Sequence, residues 1–363
     1  RRNQFTEVTG PGGIYGNPNP DTDPVWSIGW DYRSLILMLL DNGKWHAFRL
    51  PKSSHSYDGS HGWNTEWPRI RDIGEEDLMM TMHGCFWSFP KTFSSKNRAG
   101  IRPRSNYLKV IGDFCRWGDR LVLGCDDSAK SEFINTRPFK SRHGAPGQSH
   151  SNIWFVPPEA IDEFGPSIGR GSVWLRDDVK ANTPSDPYLF SGYDHRMVQV
   201  THASPHAVTV HFEVDQEANG TWSDLRTITI PANGSAFHLF SEKEAGIWIR
   251  ARLDKDAQGV SLHFHYRNKD LRGETTAPIF DGVATTETTT PLKGVMRCLG
   301  GEKRALGMIA WDPEHNSELG YYELDAQLNL VRKEDSASRA FVSQAAAPAG
   351  VYEVDAASVI LVK

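Results

Sequence analysis

Asp23-Pro24-Val25-Trp26-Ser27-Ile28-Gly29-Trp30-Asp31-Tyr32-Arg33 and Asp186-Pro187-Tyr188-Leu189-Phe190-Ser191-Gly192-Tyr193-Asp194-His195-Arg196 match in frame. Both copies read Asp-Pro, four mostly apolar residues, Gly, an aromatic, Asp, any residue, Arg. Each runs into a stretch with strand character, Ser34 to Leu50 and Met197 to Val214. Two distant copies flanked by strands imply a radial β architecture with a wide polar face.

Working outward, the same form recurs: a small apolar strand, a polar turn, then an aromatic-bearing strand. Leu78-Met79-Met80-Thr81-Met82 passes through His83-Gly84 into Cys85-Phe86-Trp87-Ser88-Phe89. Such units place blade starts near residues 25, 78, 121, 188, 248 and 306. The final strands, Val351 to Val354 and Ser358 to Val362, are expected to complete a seventh blade with Phe5 to Tyr15, which would remove exposed edges. The expectation is therefore all-β: one β-propeller of seven antiparallel blades over residues 1–363. Helical periodicity is confined to a short turn at Pro158-Glu159-Ala160-Ile161-Asp162-Glu163-Phe164.

Bulk properties narrow the function classes. Apolar residues make up 39%, and 12 Trp, 10 Tyr and 17 Phe offset this with large buried areas. A net charge of −5 with interspersed signs argues against a general nucleic-acid binder. No apolar run approaches the ~20 residues of a membrane span. Cys85, Cys115, Cys125 and Cys298 lack metal spacing and read as scattered free thiols, although Cys115 and Cys125 could pair if their strands are neighbours. The start at Arg1-Arg2-Asn3 is that of a processed or trimmed product, and a secreted or periplasmic location is expected. Asn219-Gly220-Thr221 and Asn233-Gly234-Ser235 fit the glycosylation pattern, yet Asn-Gly is first of all a hairpin turn.

The chemistry-bearing residues cluster twice. From His55 to Arg104 the chain carries His61, Trp63, Asn64, Glu66, Arg69, His83, Arg102 and Arg104. Indole faces suit sugar rings, while Asn and Arg bond hydroxyls and carboxylates. Trp67 with Arg69 could equally be a strand pair, and His83 a structural turn residue. The long polar segment from Asp126 to Ser151 carries Asp126-Asp127, His143 and Gln148. Adjacent aspartates leaving a strand cap a turn or bind Ca²⁺, so no cofactor is required and calcium is the candidate metal. Zinc spacing, a phosphate loop, a nucleophile elbow and a dinucleotide fingerprint are all missing.

His61-Gly62-Trp63-Asn64-Thr65-Glu66-Trp67-Pro68-Arg69, Met82-His83-Gly84 with Phe86-Trp87, Gly124-Cys125-Asp126-Asp127 and Asn219-Gly220-Thr221-Trp222 resemble stretches of seven-bladed β-propeller enzymes that act on rhamnosyl-glucuronate linkages in plant arabinogalactan and related acidic glycans. The resemblance spans most of the chain and implies a polysaccharide lyase working by β-elimination on an acidic polysaccharide or oligosaccharide. That reaction needs a base for the proton beside the carboxylate, a cation on the carboxylate, and a donor for the leaving oxygen. Residue chemistry then assigns His83 and His61 to proton transfer and Arg104 to the carboxylate, with Trp63, Asn64, Glu66, Arg69, Arg102 and Gln148 contacting sugar. Three alternatives stay open: a glycoside hydrolase using Glu66 with Asp126 or Asp127, a silent glycan-binding propeller, and a protein-interaction scaffold.

Overall fold

The computed structural model describes residues 4–53, 68–107, 110–126, 151–271, 293–300, 305–312, 315 and 317–344. The chain divides into two compact units, Arg1–Gly273 and Glu274–Lys363.

The first unit opens with three consecutive antiparallel meanders. The first is β1 (Gln4–Thr9), β2 (Val25–Trp30), β3 (Leu35–Asp41) and β4 (Lys44–Leu50), each pairing with the next. The second is β5 (Arg69–Arg71), β6 (Leu78–Met82), β7 (Cys85–Phe89) and β8 (Arg102–Asn106). The third has three strands, β9 (Val110–Trp117), β10 (Arg120–Asp126) and β11 (Ser151–Val156). Every residue of β6 and β7 is buried, and strand alternation explains how. Leu78, Met80, Met82, Cys85, Trp87 and Phe89 enter one apolar cluster with Trp26, Phe48 and Trp248. Met79 and Phe86 point the other way, into a cluster with Leu121, Leu123 and Val156. A sheet covered on both faces has no polar side to alternate, hence the continuous apolar runs. Each fully buried apolar side chain of this kind stabilises the fold by ~1.5–3 kcal/mol. Stacked meanders are the connectivity of propeller blades.

The chain then changes architecture. β12 (Ile168–Val179), β13 (Tyr188–Leu189), β14 (His195–Thr201), β15 (Val208–Asp215), β16 (Ser223–Ile230), β17 (Ser235–Phe240), β18 (Trp248–Leu253) and β19 (Ala257–Arg267) follow in order. They form two antiparallel layers, β12-β19-β14-β17 and β13-β18-β15-β16. This is the strand order of an eight-stranded jelly roll, a sandwich rather than a meander. Period-two burial in β14, β15, β18 and β19 is what a sandwich with one wet face per sheet demands. β13 also touches β4 through a single parallel register, Tyr188 opposite Arg49, so the jelly-roll layer continues the first meander.

The expected all-β character holds, but the described strands do not form the expected run of seven like blades over residues 1–363. Strands lie at all six expected blade starts, but β2, β6 and β10 are second strands of their meanders, and β13 and β18 are neighbours in one sheet. Among the described residues no ring closes, and the expected closing strands near the C-terminus lie outside them. The second unit carries its own antiparallel meander of β20 (Lys293–Cys298), β21 (Leu306–Asp312), β22 (Ser317–Leu324) and β23 (Leu330–Arg332), with helix α1 (Ser336–Ser343) packing Val342 against Ile309 and Tyr321. Asp335 caps that helix through the Ala337 and Ser338 amides. No disulfide joins the four cysteines; Cys115 and Cys125 sit on paired strands but opposite Val122 and Ile111.

Candidate functional site

Registers place several turns at one end of the three meanders. Leu35 opposes Leu50, Met82 opposes Cys85, and Asp126 opposes Ser151 and Val110. The ends are joined to each other: the Ser53 amide donates to the His83 carbonyl at 3.2 Å, and the Tyr107 amide to the Gly84 carbonyl at 2.9 Å. The jelly roll closes against the same place. Lys52 and Arg170 exchange two backbone hydrogen bonds of 2.8 Å, and Ser53 Oγ donates to the Ile168 carbonyl at 2.6 Å.

His83 stands at the centre of this junction. It and Gly84 are the two residues of a hairpin turn, with φ of 47° and 78°. Both values positive is the type I′ signature, in which Gly is at ease and His is among the better tolerated side chains. The ring is fully buried, lies edge-on to Trp30 at 5.7 Å, and neither ring nitrogen has a hydrogen-bond partner among the described residues. Burial first, then the charges of Lys52 and Arg170, holds the imidazole well below its ordinary range. It is therefore neutral at pH 7, with one nitrogen free to accept a proton and the other able to donate one.

The cations beside it are themselves fixed. Lys52 is 2% exposed, and its ammonium donates to the Asp31 carbonyl at 2.5 Å. The Asp31 carboxylate caps its own turn through the Arg33 and Ser34 amides and accepts from Arg49, whose Nε reaches Asp186 at 2.8 Å. A second imidazole, His263, sits with Nδ1 2.6 Å from Ser172 Oγ. Crowding by the protein, then His265, Arg170 and Lys52, holds it well below its ordinary range too. Three tyrosines, Tyr188, Tyr193 and Tyr266, have buried hydroxyls without a hydrogen-bond partner among the described residues, and burial keeps them protonated. Buried polar groups of this number are costly in an apolar core, at about 1–3 kcal/mol each, so the interior here is organised for polarity.

Of the residues expected from sequence, the structure brings only His83 to this junction. His61, Trp63, Asn64, Glu66 and Gln148 lie outside the described residues, as does Asp127. Arg104 is not the cation that faces His83. Its guanidinium is taken up by Glu75 at 2.8 Å and Asp162 at 2.8 Å, a clamp joining β8 to the 3-10 turn Pro158–Asp162. Arg69 lies with Arg71 in a network around Glu7 and Asp113, and Arg102 is exposed on β8. Among the described residues no three His, Cys, Asp or Glu converge as metal ligands.

Lys52, Arg170 and His263 were not singled out from sequence. One signal for Arg170 was present: Gly169-Arg170-Gly171 inside a strand marks close backbone approach. A Cβ on Gly169 would lie 2.7 Å from the Tyr193 hydroxyl, and one on Gly171 2.8 Å from that of Tyr188.

No family model and no curated protein matches this chain. Solved structures similar to parts of it include PirA, at 8% identity over 28% of this chain and 84% of that one, with a TM-score of 0.18. An exo-β-1,3-galactanase from Phanerochaete chrysosporium is 10% identical over 72% of this chain and 68% of that one, at 0.20. A family 43 arabinoxylan arabinofuranohydrolase from Bacillus subtilis is 9% identical over 75% and 76%, at 0.21. TM-scores near 0.2 do not establish a shared fold, so function is read from the site itself. No helix among the described residues is long and apolar enough to cross a membrane.

Proposed function

We propose that this protein is a carbohydrate-active enzyme that cleaves uronate-bearing glycans, of the rhamnosyl-glucuronate type, by β-elimination in a secreted or periplasmic setting. The observation that carries the reading is His83: a neutral imidazole whose nitrogens have no hydrogen-bond partner among the described residues, flanked by Lys52 and Arg170. Elimination asks for that combination. The cations draw electron density into the uronate carboxylate and make the adjacent carbon acidic. An imidazole nitrogen takes its proton, the C–H electron pair becomes a double bond to the neighbouring carbon, and the bond from that carbon to the glycosidic oxygen breaks. The imidazolium returns the proton to the departing oxygen, leaving an unsaturated uronate and a free hydroxyl.

The complete enclosure of His83 favours a second reading, a glycan-binding protein in which the imidazole is a core residue. Near-ultraviolet absorbance on a panel of uronate polysaccharides, gum arabic among them, separates the two. A rising signal that His83→Ala lowers by about 10²–10⁴-fold supports elimination. Sugar release without absorbance would replace it with hydrolysis, and neither signal would leave the binding reading.

A further inference from the structure

We infer that the outward face of the β12-β19-β14-β17 sheet is a binding surface for an acidic glycan chain, continuous with the His83 junction. This rests on the proposed class of substrate and adds a surface to it. Cross-strand registers order the face in rows. Ile168, Arg267 and His195 form one, Arg170, His265 and Met197 the next, and Ser172, His263 and Gln199 the third, whose Ser172 end is buried. β17 adds Leu239 beside Met197 and Phe237 beside Gln199.

Charge selects the occupant. The three rows carry two arginines and three histidines and no carboxylate, the nearest exposed one along β12 being Asp178 beyond the third row. With His263 held uncharged, Arg170 and Arg267 supply the positive charge of these rows, a local reversal of sign in a chain of net charge −5 and suited to an anion. Phe237 at 48% exposure and Leu239 at 64% supply the apolar contact that the ring faces of sugars accept. Gln199 supplies a hydroxyl-bonding group. Four strands spaced ~4.8 Å apart span roughly 15 Å, more than a single sugar occupies. Arg170 belongs both to this face, opposite His265, and to the junction, where its backbone is bonded to Lys52. A chain seated on the face therefore leads toward His83.

The test is calorimetric titration with gum arabic and with carboxyl-reduced gum arabic, which keeps the sugars and loses the uronate charge. Arg267→Ser combined with His195→Ala alters two exposed side chains and leaves the core intact. The double variant is expected to bind native gum arabic about tenfold more weakly, with its weaker binding of the reduced polymer unchanged. Unchanged affinity for the native polymer, or equal affinity of the unmodified protein for both polymers, overturns the inference. Competition by dextran sulfate as strong as by gum arabic overturns it also, since the face would then read charge alone. The absorbance assay keeps the two readings apart. Charge-dependent binding without elimination sinks the lyase and leaves the face standing, whereas elimination untouched by the double variant does the reverse.

Discussion

Replacing His83 by Asn is the most informative single change, because Asn tolerates the left-handed turn that His83 occupies and does not titrate. Burial, then Lys52 and Arg170, depresses the His83 pKa in the folded protein. The unfolded chain has an ordinary histidine near 6.5. As pH falls below about 6.5 the unfolded state gains a proton that the folded state refuses, so stability drops with acid. Its steepest contribution is about 1.4 kcal/mol per pH unit, and it is constant above the unfolded value. His263 is depressed in the same direction and adds a second increment of the same sign. Urea denaturation at pH 7.5, 6.5 and 5.5, pH values set by the roughly 6.5 midpoint, should give a shallower acid loss for His83→Asn. Near pH 7.5 the variant should be less stable by about 1–2 kcal/mol through lost packing. Curves of equal steepness for the two proteins would show that the surroundings do not hold His83 neutral, and the reasoning from its burial would fall.

Three further outcomes follow from particular contacts. Burial alone would raise the Glu244 pKa, but the Ser241 amide and hydroxyl, Arg226 and His238 bring it down to about 2. The drop from its ordinary 4.5 bounds its contribution at about 3 kcal/mol. Solvent screening at the rim cuts that to about 1–2. Glu244→Gln should therefore lose stability at pH 7 and converge with the parent protein as pH falls from 4.5 toward 2, seen by acid titration of circular dichroism. Arg104→Met should cost about 1–3 kcal/mol in urea while turnover per folded molecule stays within twofold, roughly, since the clamp is structural; a large fall in turnover at full folding would restore Arg104 to the site. Gly171→Ala puts a methyl 2.8 Å from the Tyr188 hydroxyl and 3.0 Å from the Arg33 carbonyl, and should lower thermal stability by about 1–3 kcal/mol.

What the sequence made legible was local. Period-two runs, Gly-containing turns and aromatic strands located many strands of the first unit but not β8, β9, β12, β16 or β17, because side-chain alternation and turn chemistry are written in neighbouring residues. Asn233 does turn, with φ of 48°, but β16 and β17 belong to different sheets, so the expected hairpin is a corner between layers. The change from meander to jelly roll was not legible. β13 to β19 have the same alternation as blade strands, and only non-local pairing, β12 with β19 and β13 with β18, tells a sandwich from a blade. The site shows the same division. His83 stood out because a histidine between two strands occupies a turn, a local feature. Lys52 and Arg170 lie far apart in sequence and meet through one two-bond bridge that no spacing announces.

The repeated motif also has a physical explanation, although its copies are not equivalent. In the first, Asp31 caps a β-turn inside a meander; in the second, Asp194 accepts the Lys269 amide at the rim of the jelly roll. Gly29 lies within β2, whereas Gly192, with φ of 85°, is pressed against Pro103 of β8. What joins the copies is Arg49, which bonds Asp31 of one and Asp186 of the other. The Asp31–Arg49 pair is 7% exposed on both sides. Desolvation of such a pair roughly cancels its attraction, so its net contribution to stability is small. Loss of one partner, by contrast, would strand a buried charge at a cost of about 3–5 kcal/mol. The pair sits where a two-residue strand and a single parallel register carry the first meander into the jelly roll, an interface with few backbone bonds to define it. A bond that is neutral when made and expensive when broken suits that place: it fixes one docking of sheet on sheet, and with it the position of Lys52 and Arg170 against His83.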